Sequence, residues 1–186
     1  IEQELTNIGL KPINIPLAGL ALKISGKDSS NAIIFNAHMD TVPAGNVDNW
    51  KHPPFGVGKI VKEDNKVYGL GASDMKGSIA SLLLLADKLK DSKPNCDVWF
   101  SFVVKEETDG SGTKEFIKWL KEEGYFSNYK EISAIVCEPT DLNQIELGHM
   151  GNLFIKLIIE GDTGHGSRPE LIKSNSVVQA SKIILK

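Results

Sequence analysis

Residues 32–45 of this 186-residue chain read AIIFNAHMDTVPAG, an apolar run that leads into a histidine and an aspartate. The run Ala32–Phe35 has the composition of a buried β-strand. Alternate strand residues point to the same side, so His38 and Asp40 can lie on one face where the strand becomes a loop. This arrangement is typical of a metal-binding histidine whose tautomer is fixed by a carboxylate behind it. A histidine at a strand end beside an unrelated surface aspartate is the alternative.

The rest of the chain predicts an α/β fold, with a largely parallel mixed sheet flanked by helices. Apolar runs of strand length alternate with two stretches of helical periodicity, Gly77–Leu89 and Gly112–Glu123, and Gly124 ends the second helix. The predicted strands are Leu20–Ile24, Ala32–Ala37, Val57–Val61, Val98–Val104 and Ile132–Cys137.

The pattern changes near residue 150. Leu153–Ile159 predicts a long strand and Leu171–Leu185 predicts a helix. One strand and one helix cannot bury a core, so we predict two domains: residues 1–151, part of a first domain, and residues 152–186, the incomplete beginning of a smaller α+β domain. The chain begins with Ile1 and stops at Lys186 within helix-like stretches, so we expect a longer protein.

Composition excludes several classes of function. Hydrophobic residues make up 41% of the chain, charged residues 24%, and the net charge is −3. These values predict a globular protein without nucleic acid or an acidic membrane surface as a partner. No apolar run approaches the roughly 20 residues of a membrane span. Cys96 and Cys137 lack motif spacing, which favours a reducing, cytoplasmic location.

Acidic residues follow the other predicted strands. Asp74 comes after the strand-like Lys66–Leu70, Glu106 and Glu107 come after the fourth strand, and Glu138 comes after the fifth. Open α/β sheets place their sites at the carboxyl ends of strands. We therefore expect these side chains to meet His38 at one edge.

Each acidic residue also has an ordinary explanation. Asp74 could cap the helix that begins near Gly77, the pair Glu106–Glu107 could be a solvated turn, and Glu138 could simply end a strand. The motif GLGASD does not complete a dinucleotide-binding G-x-G-x-x-G fingerprint, because Asp74 replaces the third glycine and would repel a pyrophosphate.

Taken together, these residues predict a metal site. Two divalent cations that share a carboxylate need about three protein ligands each, and a nearby carboxylate that binds no metal can take a proton from water. The suitable ligands are His38, Asp74, Glu107 and Glu138, with Glu106 as the base.

The order of motifs resembles a known family, the co-catalytic zinc hydrolases that include aminoacylase, acetylornithine deacetylase, succinyl-diaminopimelate desuccinylase and glutamate-releasing carboxypeptidases. The resemblance covers nearly all of residues 32–170, in the stretches AHMDTVPAG, YGLGASDMKGS, KEETDGSGT, CEPT, GHMG and GDTGHGSRP. It implies a zinc-peptidase-like catalytic domain followed by a lid and dimerisation domain. It also implies hydrolysis of the amide bond of a small N-acyl amino acid or short peptide.

The resemblance further implies two zinc ions per subunit, with cobalt or manganese also suited to these ligands. A cis peptide between Asp74 and Met75 is expected. The implied roles are zinc binding by His38 and Glu138, binding of the second zinc by Glu107, bridging by Asp74, support of His38 by Asp40, and general acid/base catalysis by Glu106.

Two residues near the end of the chain match the family's lid. His165 corresponds to a histidine that reaches the partner's active site and stabilises the oxyanion, which implies a homodimer. Gly166 departs from the usual Ser or Ala. Arg168, the only arginine, is expected to order the lid loop or to bind the substrate's α-carboxylate, because lysine cannot make the same planar two-pronged contact.

The expected substrate is that of a deacylase of amino-acid metabolism, because Glu138–Thr140 and Gly112–Thr113 resemble those members. A carboxypeptidase or dipeptidase is the second interpretation. A non-catalytic ligand-binding relative or an inactive fragment is the third, because the family's C-terminal histidine ligand has no counterpart after His165.

Overall fold

The computed structural model describes residues 1–56, 61–148, 151, 155–168 and 172–185. The chain forms two compact units, Ile1–Ile145 and Glu146–Lys186. The boundary predicted after residue 151 lies slightly further along the chain than the boundary between these two units, which follows Ile145. The assignment of residues 152–186 to a lid domain stays a prediction.

The first unit contains the predicted mixed sheet flanked by helices. The sheet strands are β1 (Ile13–Ile15), β2 (Gly19–Ile24), β3 (Asp28–His38), β6 (Cys96–Val103) and β7 (Glu131–Val136). These five strands are arranged in the order β1-β2-β6-β3-β7; β6, β3 and β7 are mutually parallel, and β2 is antiparallel to both of its neighbours.

Helices cover both faces of the sheet, as the apolar pattern of β6 requires. Phe100 and Phe102 pack with the helices α1 (Glu2–Asn7) and α2 (Gly77–Lys90). Trp99, on the other face, packs with residues of the helices α3 (Ser111–Glu122) and α4 (Tyr125–Asn128). These two cores hold the ends of β3 and β6 in a fixed register, with His38 beside Val103. Gly124, in the left-handed conformation, follows α3 as predicted.

A separate antiparallel hairpin, β4 (Val61–Glu63) and β5 (Lys66–Tyr68), precedes α2. The strand-like stretch Lys66–Leu70 does contain a strand, but among the described residues β5 pairs only with β4 and is not part of the main sheet. Of the predicted strand Val57–Val61, residues 57–60 lie outside the described residues.

The second unit contains the helix α5 (Ser176–Ile184). It begins five residues later than Leu171, because the Asn175 side chain accepts the backbone N–H groups of Val177 and Val178 and caps the helix there. Residues 153, 154 and 171 lie outside the described residues. The prediction of a strand is wrong for residues 155–159, which pair with no strand in the described part of the chain.

Among the described residues, no helix combines the length and apolar character needed to cross a membrane.

Candidate metal centre

His38 is the last residue of β3 and lies at the carboxyl edge of the three parallel strands. Its side chain is almost completely buried, with 2% of the residue exposed. Its backbone N–H donates to the sulfur of Met75 at 2.9 Å, a contact that the sequence did not predict. The surrounding fold therefore fixes the position of the imidazole before any ligand binds.

Both ring nitrogens of His38 have defined neighbours. Nδ1 lies 2.9 Å from the backbone oxygen of Asp40, and Nε2 lies 2.8 Å from Oδ1 of Asp74. Oε1 of Glu138, which follows β7, lies 3.8 Å from Nε2. The carbonyl is an acceptor, so Nδ1 carries the proton in the neutral ring and Nε2 is left with its lone pair directed at the carboxylates.

Asp74 reaches His38 from the segment Ala72–Lys76, which leads into α2. The Asp74–Met75 peptide bond is cis, as predicted, and Met75 is fully buried. Lys76 is the N-terminal flanking residue of α2, and no side chain caps this helix. The interpretation of Asp74 as a helix cap is therefore wrong.

Glu106 and Glu107 lie in the turn that follows β6. Their backbone N–H groups donate to the two carboxylate oxygens of Asp40, at 3.3 Å and 3.2 Å. The nearest oxygen of that carboxylate is 3.8 Å from Nδ1 of His38. Asp40 was predicted to support His38; its closest contact to the ring is made by its backbone carbonyl, while its side chain lies near the ring and also holds the turn.

The donor atoms fit a metal ion. In the described part of the chain, two sets of three residues place one ligand atom each within 4.8 Å of one another: His38, Asp74 and Glu138, and His38, Glu106 and Glu107. No described lysine or arginine forms an ion pair with the site carboxylates. One imidazole and several carboxylates without a basic side chain form a donor set suited to zinc or similar divalent cations.

Burial and the neighbouring negative charges change the pKa values of the site residues. Burial raises the pKa of Glu107, and the negative charges of Asp74 and Glu106 raise it further. Burial likewise raises the pKa of Glu138, against the opposing effect of His38. Burial by itself lowers the pKa of His38, but Asp74 and the Asp40 carbonyl outweigh it and raise that pKa overall. A bound cation would relieve this repulsion.

His165 and Arg168 lie in the second unit and share a tight turn. Nδ1 of His165 is 2.8 Å from Oγ of Ser167 and also accepts the Ser167 backbone N–H, while the Arg168 N–H donates to the His165 carbonyl. The backbone donor leaves the proton of the neutral ring on Nε2. The roles predicted for His165 and Arg168 stay predictions.

Comparison with known sequences gives a consistent result. The sequence model of Peptidase family M20/M25/M40 matches residues 34–182. A succinyl-diaminopimelate desuccinylase from Rickettsia africae (strain ESF-5) is 36% identical over 168 residues, which cover 87% of this chain and 42% of the relative. The desuccinylase of Blochmanniella floridana is 34% identical over 149 residues, 76% of this chain and 37% of the relative. The chain thus spans about two fifths of the length of these curated relatives.

Solved structures support the same fold. The M20 family metallo-carboxypeptidase Sso-CP2 from Sulfolobus solfataricus aligns with a TM-score of 0.59 at 22% identity, over 73% of this chain and 30% of that one. Human carnosine dipeptidase 1 aligns with a TM-score of 0.56 at 18% identity, over 72% of this chain and 30% of that one. At this identity the likeness concerns the fold alone.

Proposed function

Since the chain belongs to Peptidase family M20/M25/M40, we propose that it is part of a zinc-dependent hydrolase that cleaves the amide bond of a small N-acyl amino acid or short peptide. The observation that carries this proposal is that two donor sets meet at His38, one with Asp74 and Glu138 and one with Glu106 and Glu107, each with its ligand atoms within 4.8 Å of one another.

In this proposal, His38 and Glu138 would hold one zinc ion, Glu107 would hold the second, and Asp74 would be a ligand of both. When bound, zinc would supply Lewis-acid polarisation of the scissile carbonyl and would make water more acidic. The near-complete burial of His38 and its bond to the Asp40 carbonyl support its role, because they present Nε2 to the cation at little further cost in ordering.

Glu106 is the proposed general acid/base. It follows β6 beside Glu107, and its side chain is exposed, so water and substrate can reach it. Its carboxylate takes a proton from the attacking water as the oxygen bonds to the amide carbon. It then gives that proton to the leaving nitrogen as the C–N bond breaks, which leaves a carboxylic acid and an amine and returns Glu106 to its starting state.

The remaining roles belong to the second unit and to the whole protein. We propose that the Nε2–H group of His165 donates a hydrogen bond to the oxyanion in the partner subunit of a homodimer, and that Arg168 binds the substrate's α-carboxylate. The tautomer set by the turn at Ser167 supports the role of His165. Free Cys96 and Cys137 are compatible with the proposed cytoplasmic location.

The proposed substrate is N-succinyl-diaminopimelate or a similar N-acyl amino acid. This choice rests on the identity to curated desuccinylases, which is 36% over 168 residues for the relative from Rickettsia africae (strain ESF-5). Assays of the full-length protein with N-succinyl-diaminopimelate, N-acetylornithine and dipeptides would separate the candidates. Turnover of dipeptides alone would replace the deacylase assignment with a dipeptidase.

The catalytic assignment is tested by Glu106→Gln in the zinc-loaded full-length protein. We expect kcat to fall by about 100- to 10,000-fold, because the amide cannot take the proton from water, while the zinc content stays unchanged. Glu122→Gln is the matched control, since Glu122 is an exposed residue of α3. A Glu106→Gln protein with the kcat of the control would contradict the assignment.

A further inference from the structure

The Asp40 carboxylate lies 3.8 Å from Nδ1 of His38 and also accepts two backbone N–H groups of the turn after β6. Asp40 follows β3, and the N–H of Met39 donates to the Val103 carbonyl at 2.8 Å, which continues the β3–β6 ladder beyond His38. This contact places Asp40 directly beside the turn that follows β6. The hydrogen bond from Nδ1 of His38 is accepted by the backbone carbonyl of Asp40 and not by its carboxylate.

The turn after β6 has two N–H groups that its own backbone does not satisfy. The carbonyl of Lys105 accepts from the side chain of Thr108 at 3.2 Å and from the N–H groups of Asp109 and Gly110 at 3.2 Å and 2.8 Å. The N–H groups of Glu106 and Glu107 precede these donors, as the first N–H groups of a helix do, and need acceptors from outside the turn. The Asp40 carboxylate supplies one oxygen to each.

Two hydrogen bonds to one carboxylate fix two successive peptide units, Lys105–Glu106 and Glu106–Glu107. These units determine where the Glu106 and Glu107 side chains leave the main chain, and the donor atoms of those side chains lie within 4.8 Å of the His38 donor atom. Lys105 adopts a left-handed backbone conformation, with φ of 61°, so the turn leaves the strand abruptly and its direction depends on such contacts.

We infer that Asp40 is a positioning residue whose carboxylate holds the Glu106–Glu107 main chain, and thereby aligns the proposed base and the proposed ligand with His38 at the same time. This inference rests on the proposed function for its catalytic consequence. The clamp itself is a property of the protein without metal or substrate.

The first test is nuclear magnetic resonance of the metal-free full-length protein. We expect slow hydrogen exchange and downfield amide protons for Glu106 and Glu107, and an upfield movement of both in Asp40→Asn. Fast exchange of both amides in the wild-type protein would overturn the inference. So would a variant that changes the His38 ring signals and leaves both amides in place. Neither result depends on the proposed activity.

The second test is a graded series in the zinc-loaded enzyme. Asp40→Asn keeps one acceptor oxygen, and Asp40→Ala keeps none. We therefore expect kcat to fall in both variants and to fall further in Asp40→Ala. A displacement of the reacting groups by about 1 Å lowers kcat by about 100-fold. KM should change little, while zinc binding should weaken in the same order as kcat, because Glu107 is a proposed zinc ligand. Asp48→Asn removes the same charge from an exposed residue and should leave kcat unchanged. Equal losses in Asp40→Asn and Asp40→Ala would indicate that only charge matters and would overturn the inference.

Discussion

Gly112, in the first turn of α3, has no Cβ atom, and this allows α3 to lie close to the end of β6. A Cβ atom at this position would overlap the backbone carbonyl of Val104, at the end of β6. The helix can approach the strand end closely only with glycine, and the turn that carries Glu106 and Glu107 spans this gap. Gly112 is therefore a packing requirement as well as part of a recognisable motif.

We expect Gly112→Ala to lower the free energy of unfolding by about 1–3 kcal/mol, because α3 or the strand end must move to admit the methyl group. Urea denaturation of the wild-type and variant proteins measures this difference. Gly148→Ala is the matched control, since nothing lies within 4 Å of a Cβ built there. Equal stability of the two variants would show that the close approach of α3 and Val104 is not needed.

Asp97 is a fully buried carboxylate that joins three elements of the first unit. It lies 2.7 Å from Nζ of Lys23 in β2, and it accepts the Gly26 N–H and the Tyr129 hydroxyl, each at 2.8 Å. Tyr129 in turn accepts the indole N–H of Trp99 at 3.0 Å. This network of hydrogen bonds connects β2, β6 and the segment before β7. It lies near the start of β6, whereas the proposed metal ligands lie at the carboxyl ends of the strands.

We expect Asp97→Asn to lower the free energy of unfolding by about 3 kcal/mol at neutral pH, near the low end for breaking a buried ion pair because Lys23 is partly exposed. Burial raises the pKa of Asp97, but the bonds from Lys23 and Gly26 outweigh it and hold that pKa below the ordinary value. The folded state thus favours the charged form.

The sign of this shift predicts a pH dependence. The contribution of Asp97 is complete above the unfolded-state pKa of about 3.9 and is lost as pH falls through the lower folded-state pKa. The stability difference between wild type and Asp97→Asn should therefore shrink below about pH 4. Urea denaturation at several pH values measures it, with Asp48→Asn as the control. A difference that stays constant down to pH 2 would contradict the prediction.

At the level of elements, the sequence predicted what depends on local pattern. β3, β6, α2 and α3 were predicted because a buried strand is continuously apolar and an amphipathic helix repeats every 3.6 residues. The short strand β1 was missed, because three residues carry too little pattern to distinguish a strand from a loop.

Local sequence pattern does not show which distant segments pair with one another. The strand-like pattern of Lys66–Tyr68 is real, but it does not specify the partner, which is β4 and not the main sheet. The apolar residues 155–159 have the pattern of a strand and pair with none among the described residues. The Asp40 clamp escaped prediction for the same reason, since its partners are more than sixty positions away along the chain.

At the scale of the whole molecule, all the proposed metal ligands lie in the first unit, and none of the predicted ones lies in Glu146–Lys186. The second unit carries only His165 and Arg168 of the predicted site. The proposed metal binding and the proposed lid function therefore belong to different units, and we predict that zinc stabilises the fold of the first unit directly.

We expect saturating zinc to raise the free energy of unfolding by about 2.7 kcal/mol when its free concentration is 100 times the dissociation constant, because zinc binds the folded donor set in preference to the unfolded chain. Thermal unfolding of the full-length protein with zinc and with a chelator measures this increment. His38→Ala should abolish the increment, whatever it does to the stability of the metal-free protein. His52→Ala is the matched control, because His52 pairs with Glu63 and belongs to neither donor set. An equal zinc-dependent increment in His38→Ala and His52→Ala would mean that zinc binds elsewhere, and the metal assignment at the edge of the sheet would then be wrong.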